Sequence, residues 1–261
     1  MSELELTVVG AGRVASQLAV ALYAAKVQVR YVYSRNSEKA NLLAGRLASF
    51  ALSGDLAECL SVLPTKSVYL VCVSDDAIPA VCKQLDVLQG TIVHTSGSVA
   101  LPRLTYSRSA VLYPLQTFSP NRAINIAEVP FFIEASDAKT RDWLLDFAQL
   151  LSPHVREADS ATRQWIHLLG VITNNFTNHL LVEAERIAAQ HAIPFQVLQP
   201  LVLETIQKAF DTSPATAQTG PAIRGDRTTI AKQQCLLAET APTLLPLYNL
   251  FTEAILKEKE E

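Results

Sequence analysis

Near the start of the chain, Gly10-Ala-Gly12-Arg-Val-Ala15 separates an alternating run ending in apolar β-formers, Leu4–Val9, from a small-residue helix, Val14–Ala25. A glycine pair at a strand-to-helix junction constrains the fold strongly. Gly10 permits a tight turn, Gly12 lets a ligand's phosphates approach the backbone, and Ala15 allows close helix–strand packing. The helix then offers unsatisfied N–H groups to an anion. Gly10, Ala11, Gly12, Arg13 and Val14 are therefore the expected pyrophosphate-binding residues of a dinucleotide.

The pattern beyond the motif is alternating strand and helix. Strands are expected at Gln28–Tyr33, Ser67–Val73, Thr91–His94, Ala110–Tyr113, Phe131–Glu134 and His154–Glu157. Helices are expected at Glu38–Ala48 with Ser37 as N-cap, more weakly at Asp55–Val62, at Ile78–Leu85 and at Asp137–Leu151. Ser67–Val73 is a near-continuous apolar run, typical of a strand buried on both faces of a sheet. Such alternation predicts right-handed crossovers and a doubly wound sheet. From Ser160 onward only helical segments follow, near 161–191, 195–211, 227–239 and 243–258, with a charged tail at Lys257–Glu261. The expected organisation is α/β: a Rossmann domain over 1–159, then an all-helical domain over 160–261.

The end of the second strand selects the dinucleotide. NAD-binding domains place a carboxylate there, about 20 residues past the glycines, on the ribose 2′-hydroxyl. Here the stretch reads Tyr33-Ser34-Arg35-Asn36-Ser37, with no acid before Glu38. A hydroxyl and a guanidinium suit a 2′-phosphate, so Ser34 and Arg35 predict NADP; the competing reading of Arg35 is a solvated surface residue. Val73 and Ser74 follow the strand expected beneath the cofactor, near its ribose–nicotinamide half, and Asp75 or Asp76 is the expected cap of the next helix. Ser96, Gly97 and Ser98 lie at the same edge and either cradle a substrate anion or form an ordinary turn.

His167, Asn174 and Asn178 recur at helical spacing on what should be one helix side, with Gly170 leaving space for an approaching group. His167 is either a proton donor or a core histidine, and the two asparagines need hydrogen-bond partners in so apolar a helix. In Thr219–Asp226 two glycines and a proline fix the backbone, Asp226 can cap the helix after it, and Arg224 is placed to clamp an anion or to act as a strut. Trp165, Ile166, Leu168, Leu169, Val171, Ile172 and Phe176 leave their helix apolar nearly all round, which predicts a homodimer built on these helices. Net charge −3 offers no basic stripe for nucleic acid. No apolar run reaches the roughly 20 residues of a membrane span. The residues Ser2, Glu3 and Glu5 lead straight into a strand rather than a signal peptide, and four scattered cysteines without a CxxC pair fit reduced thiols in the cytoplasm and no metal site.

These residues together resemble a known family: Rossmann-like NADP oxidoreductases whose C-terminal half is a helical domain of unknown function, distant relatives of pyrroline-5-carboxylate reductase and ketopantoate reductase. The resemblance rests on Gly10–Ala15, Val73–Ile78, His94–Ser98, Pro114-Leu-Gln-Thr-Phe118, His167–His179 and Thr219–Asp226. It implies a 6-phosphogluconate-dehydrogenase-like architecture and hydride transfer between NADPH and a small carbonyl or imine in an interdomain cleft. Tyr113 stands where family members often carry histidine. Relatives with hydroxyacid chemistry use a lysine on the interdomain helix, and no lysine occurs here between Lys139 and Lys208. A non-catalytic NADP(H)-binding sensor and a dehydrogenase working in the oxidative direction are the competing expectations.

Overall fold

The structure, a computed structural model, describes residues 5–119 and 122–258; Ser2, Glu3, Leu4 and the end of the charged tail (259–261) lie outside the described residues. In chain order the first elements are β1 (Glu5–Val9), α1 (Arg13–Ala24), β2 (Gln28–Tyr33), α2 (Ser37–Leu47), β3 (Phe50–Leu52), α3 (Leu56–Cys59) and β4 (Val68–Val71). Then come α4 (Ile78–Leu85), β5 (Thr91–His94), β6 (Arg108–Pro114), β7 (Phe131–Ala135), α5 (Ala138–Gln149), β8 (Val155–Glu157) and α6 (Ser160–Gly170).

The strands form one eight-stranded sheet in the order β3-β2-β1-β4-β5-β6-β7-β8. All four residues of β4 are buried, because apolar layers cover both faces of the sheet. One layer gathers Leu6, Val8, Leu18, Leu70, Phe131 and Phe147; the other gathers Val9, Tyr69, Val71, Ile78, Leu85 and Ile92. This is the expected Rossmann-like core.

Several local expectations shift. The sheet is mixed: β6 pairs antiparallel with β7, and β8 runs parallel to β7. A buried apolar run reads the same in either direction, so periodicity carries no strand polarity. Helix α2 is capped by Asn36, not Ser37, because the Asn36 side chain accepts the Lys39 N–H at 2.9 Å. The weak helix after Asp55 is a single turn, and β3 is a strand too short for its period to be read. Asp75 caps nothing: it opens a 3-10 turn whose N-cap is Ser74.

The strand-to-helix change lies at Ser160, while the chain divides into compact units between Val171 and Ile172. Helix α6 belongs with the sheet because its Arg163 is fully buried there, donating to the Ser96 and Val99 carbonyls and pairing with Glu134. The segment Val171–Phe176 is π-helical, so the straight α-helical phase assumed for 161–191 is interrupted. The second unit contains α7 (Thr177–Gln190), α8 (Gln199–Asp211), α9 (Pro214–Ala217), α10 (Pro221–Arg224), α11 (Arg227–Thr240) and α12 (Leu245–Glu258). The 219–226 stretch expected as a loop includes the single turn α10, and Asp226 caps α11 by accepting the Thr229 N–H. Among the described residues no helix is long and apolar enough to cross a membrane.

Candidate active site

Gly10 sits at φ +117°, and a Cβ there would lie 2.4 Å from the Cys72 carbonyl oxygen, so only glycine fits this crossing of the β1 and β4 ends. Gly12 differs: a Cβ on it would meet nothing within 4 Å. Open space therefore faces the N-terminus of α1, whose first turn holds no acid. The space belongs to a cavity of about 700 Å³ that takes in Gly10, Ala11, Gly12, Ser34, Arg35, Val73 and Ser74 of the expected cofactor residues. Val14 instead packs on the core, and Arg13 lines a neighbouring cavity along α1 and α2. Asn36, Lys39 and Asp55 also line the first cavity. The Asp55 side chain caps α3, accepting the Ala57 N–H at 3.0 Å, and its single negative charge is outweighed by the two cations Arg35 and Lys39. A phosphate-bearing dinucleotide fits this chemistry: open backbone N–H groups at one end, cations at the other. Lys39 was not singled out from sequence; its signal is a basic residue in the first turn of α2.

Further along the same sheet edge, β5 and β6 deliver the second cluster. Their parallel register brings the His94-Thr-Ser96-Gly97-Ser98 turn beside Tyr113. His94 is fully buried; the Ser96 N–H donates to its Nδ1, while Nε2 lies 3.3 Å from the Ala100 carbonyl. Burial, and after it the Arg163 cation, depress its pKa to about 4, so it is neutral and structural at pH 7. Ser96 is also spent on the turn, its Oγ accepting the Ser98 and Val99 N–H groups. The Ser98 hydroxyl donates to the Asp75 carboxylate at 2.5 Å. Asp75, in the turn after β4, thus sets a carboxylate against the loop expected to cradle an anion. Gly97 makes room for Tyr113, since a Cβ there would fall 2.6 Å from the tyrosine ring.

Tyr113 was not among the candidate site residues read from the sequence. Its ring is 8% exposed, and its hydroxyl lies 3.3 Å from His167 Nδ1, with the rings edge-on at a 6.1 Å centroid separation. Burial, and then the Asp75 charge, raise the phenol pKa, so the hydroxyl stays protonated at neutral pH. His167 is half-buried on α6. Asn174 lies in the π-helical segment, exposed, its amide donating to the Asn175 side chain; Asn178 is exposed on α7. Arg224 is exposed at the end of α10. Asp226 beside it has a lowered pKa, chiefly from its hydrogen bonds to Thr229 and secondarily from the Arg224 charge.

A solved structure from Bacteroides fragilis, provisionally assigned as an NADP oxidoreductase, is 36% identical over 98% of each chain with a TM-score of 0.86. The chain belongs to this NADP oxidoreductase family. Residues 5–94 match the family described as NADP oxidoreductase, coenzyme F420-dependent, and residues 129–255 match a domain of unknown function, DUF2520. As a family member the chain is an NADP-dependent oxidoreductase, with a Rossmann-like sheet followed by a helical region. Two further structures share the fold. The reductive aminase of Aspergillus terreus, solved with NADPH and ethyl-5-oxohexanoate, is 18% identical over 98% of this chain and 94% of its own, with a TM-score of 0.61. The pyrroline carboxylate reductase of Plasmodium falciparum, solved with NADP bound, is 12% identical over 99% of each chain, with a TM-score of 0.56. No curated protein matches the chain by sequence.

Proposed function

We propose that the chain uses NADPH to reduce a small carbonyl or imine. The observation that carries the proposal is the Tyr113–His167 pair at 3.3 Å, held where β6 ends, on the same sheet edge as the glycine-lined cavity. NADPH, when bound, supplies the hydride. The chain's own residues do the rest. The α1 N-terminus and Gly12 receive the pyrophosphate, while Ser34 and Arg35, aided by Lys39, take the 2′-phosphate. Ser74 lies at the end of β4, toward the nicotinamide. His167 donates the proton to the oxygen or nitrogen that accepts hydride, as imidazoles commonly do in general acid catalysis. Ser96, Gly97 and Ser98 border the reacting group, Asn174 and Asn178 contribute polar contacts, and Arg224 holds a substrate anion.

The assembly we propose is a homodimer through the C-terminal helices, since Trp165 (67% exposed), Leu169, Phe176 (57%), Leu201 and Phe210 (86%) present apolar surface that water disfavours. Unbridged cysteines at 59, 72, 82 and 235 fit a reducing, cytoplasmic setting. The test is NADPH oxidation with a broad panel of carbonyls and imines. Turnover that disappears in His167→Ala, with NADPH binding intact, supports the proposal. NADPH binding with no turnover on any compound favours a sensor instead, and unchanged turnover in His167→Ala removes the histidine from its role.

A further inference from the structure

We propose that Tyr113 is a positioning residue of this site: its hydroxyl donates to His167 Nδ1 and thereby places the imidazole proton on Nε2. The inference rests on the reductase reading for its significance, but not for its test. The first support is hydrogen-bond accounting. A buried phenol needs an acceptor for its proton. Among the described residues the partner of the Tyr113 hydroxyl is His167 Nδ1. A phenol donates far more readily than it accepts, and an imidazole nitrogen that accepts carries no proton. The neutral histidine is thereby fixed as the Nε2–H tautomer, and Nε2 meets no protein partner among the described residues.

The second support is that the fold immobilises both partners. The Tyr113 ring is confined between Gly97 and Phe132, whose ring centroid is 6.4 Å away at a 33° tilt. The Gly97 backbone lies outside the left-handed region, so conformation does not demand glycine at that position; the tyrosine ring does. His167 follows Arg163 by four residues, placing both on one side of α6. Arg163 is 0% exposed and bonded to Ser96, Val99 and Glu134, which anchors that side to the sheet. A histidine whose ring orientation and tautomer are set by a neighbouring hydrogen bond is the usual arrangement for a directed proton donor.

The experiment is ¹⁵N–¹H correlation spectroscopy of the imidazoles of the full chain at about pH 8, above the ordinary histidine range. The His167 signals are identified by their loss in His167→Asn. The expected spectrum shows a pyridine-like Nδ1 and a pyrrole-like Nε2 for His167 in the wild type. In Tyr113→Phe the tautomers mix and Nδ1 shifts toward the unbonded position. Gly97→Ala, by displacing the ring, reproduces the Tyr113→Phe spectrum. A protonated Nδ1 in the wild type overturns the proposal without reference to any variant, and so does a Tyr113→Phe spectrum identical to the wild type. Because no turnover is read, an inactive substrate panel retires the reductase reading and leaves this result standing, and the reverse holds equally.

Discussion

At the scale of single residues, the glycine-lined cavity turns on charge. Arg35 and Lys39 line a cavity whose one lining carboxylate, Asp55, is committed to a helix cap. A hydrogen bond to a charged group is worth about 1.5–3 kcal/mol. Arg35→Ala, and separately Lys39→Ala, should therefore weaken NADPH binding about 10- to 100-fold and leave NADH nearly unchanged, as read by nucleotide fluorescence titration. His94 supplies the pH prediction. Its folded pKa of about 4 lies below the ordinary value of 6.5, so between those limits the unfolded chain binds more protons and stability rises with pH. The contribution is complete above pH 6.5 and is lost as pH falls toward 4, amounting to about 3 kcal/mol at most. Urea midpoints at about pH 7.5 and pH 5 should show the fall, and His94→Gln should flatten it. These two histidines are alike in sequence and opposite in use: His94 is sealed in a turn, whereas His167 keeps a nitrogen available.

At the scale of elements, α6 is the decisive piece. It begins where the strands end, yet it is fastened to the sheet through one buried guanidinium. Arg163→Met removes the cation from Glu134, which keeps the Ser160 hydroxyl, and takes a donor from two carbonyls; breaking such a pair costs about 3–5 kcal/mol. Denaturation should show that loss, and Glu134→Gln combined with Arg163→Met should cost less than the sum of the two changes. The π-helical segment that follows matters for a different reason. Seven-residue spacing aligns His167 and Asn174 only along an unbroken α-helix. With an i→i+5 stretch over Val171–Phe176 that alignment no longer follows from spacing, and Asn174 instead bonds its neighbour Asn175.

At the scale of the whole molecule, the apolar side chains exposed on α6, the π-helical segment and α8 ask for a covering surface. A homodimer at micromolar concentration is the expected outcome of sedimentation, and Phe176→Asp with Leu201→Asp should shift it to monomer without altering NADPH binding. A wild-type monomer at that concentration removes the dimer. Much of the architecture was legible beforehand. The glycine pair, the boundaries of β2, α4 and β5, and the absence of an acid after β2 announce a dinucleotide fold and its NADP preference, because turns, periodicity and local charge are written in adjacent residues. Strand direction, the three-residue β3, the Asn36 cap and the π-helical break were not, since none leaves a periodic trace. Nor was the cluster around Tyr113. Tyr113, Gly97, Arg163 and Asp75 are scattered over nearly 90 positions, and their partnership exists only once β5, β6 and α6 have packed. By itself the sequence determined which cofactor end the chain would build. Only the tertiary structure decided which side chains meet at the other end, because contacts between distant residues are set by packing rather than by spacing.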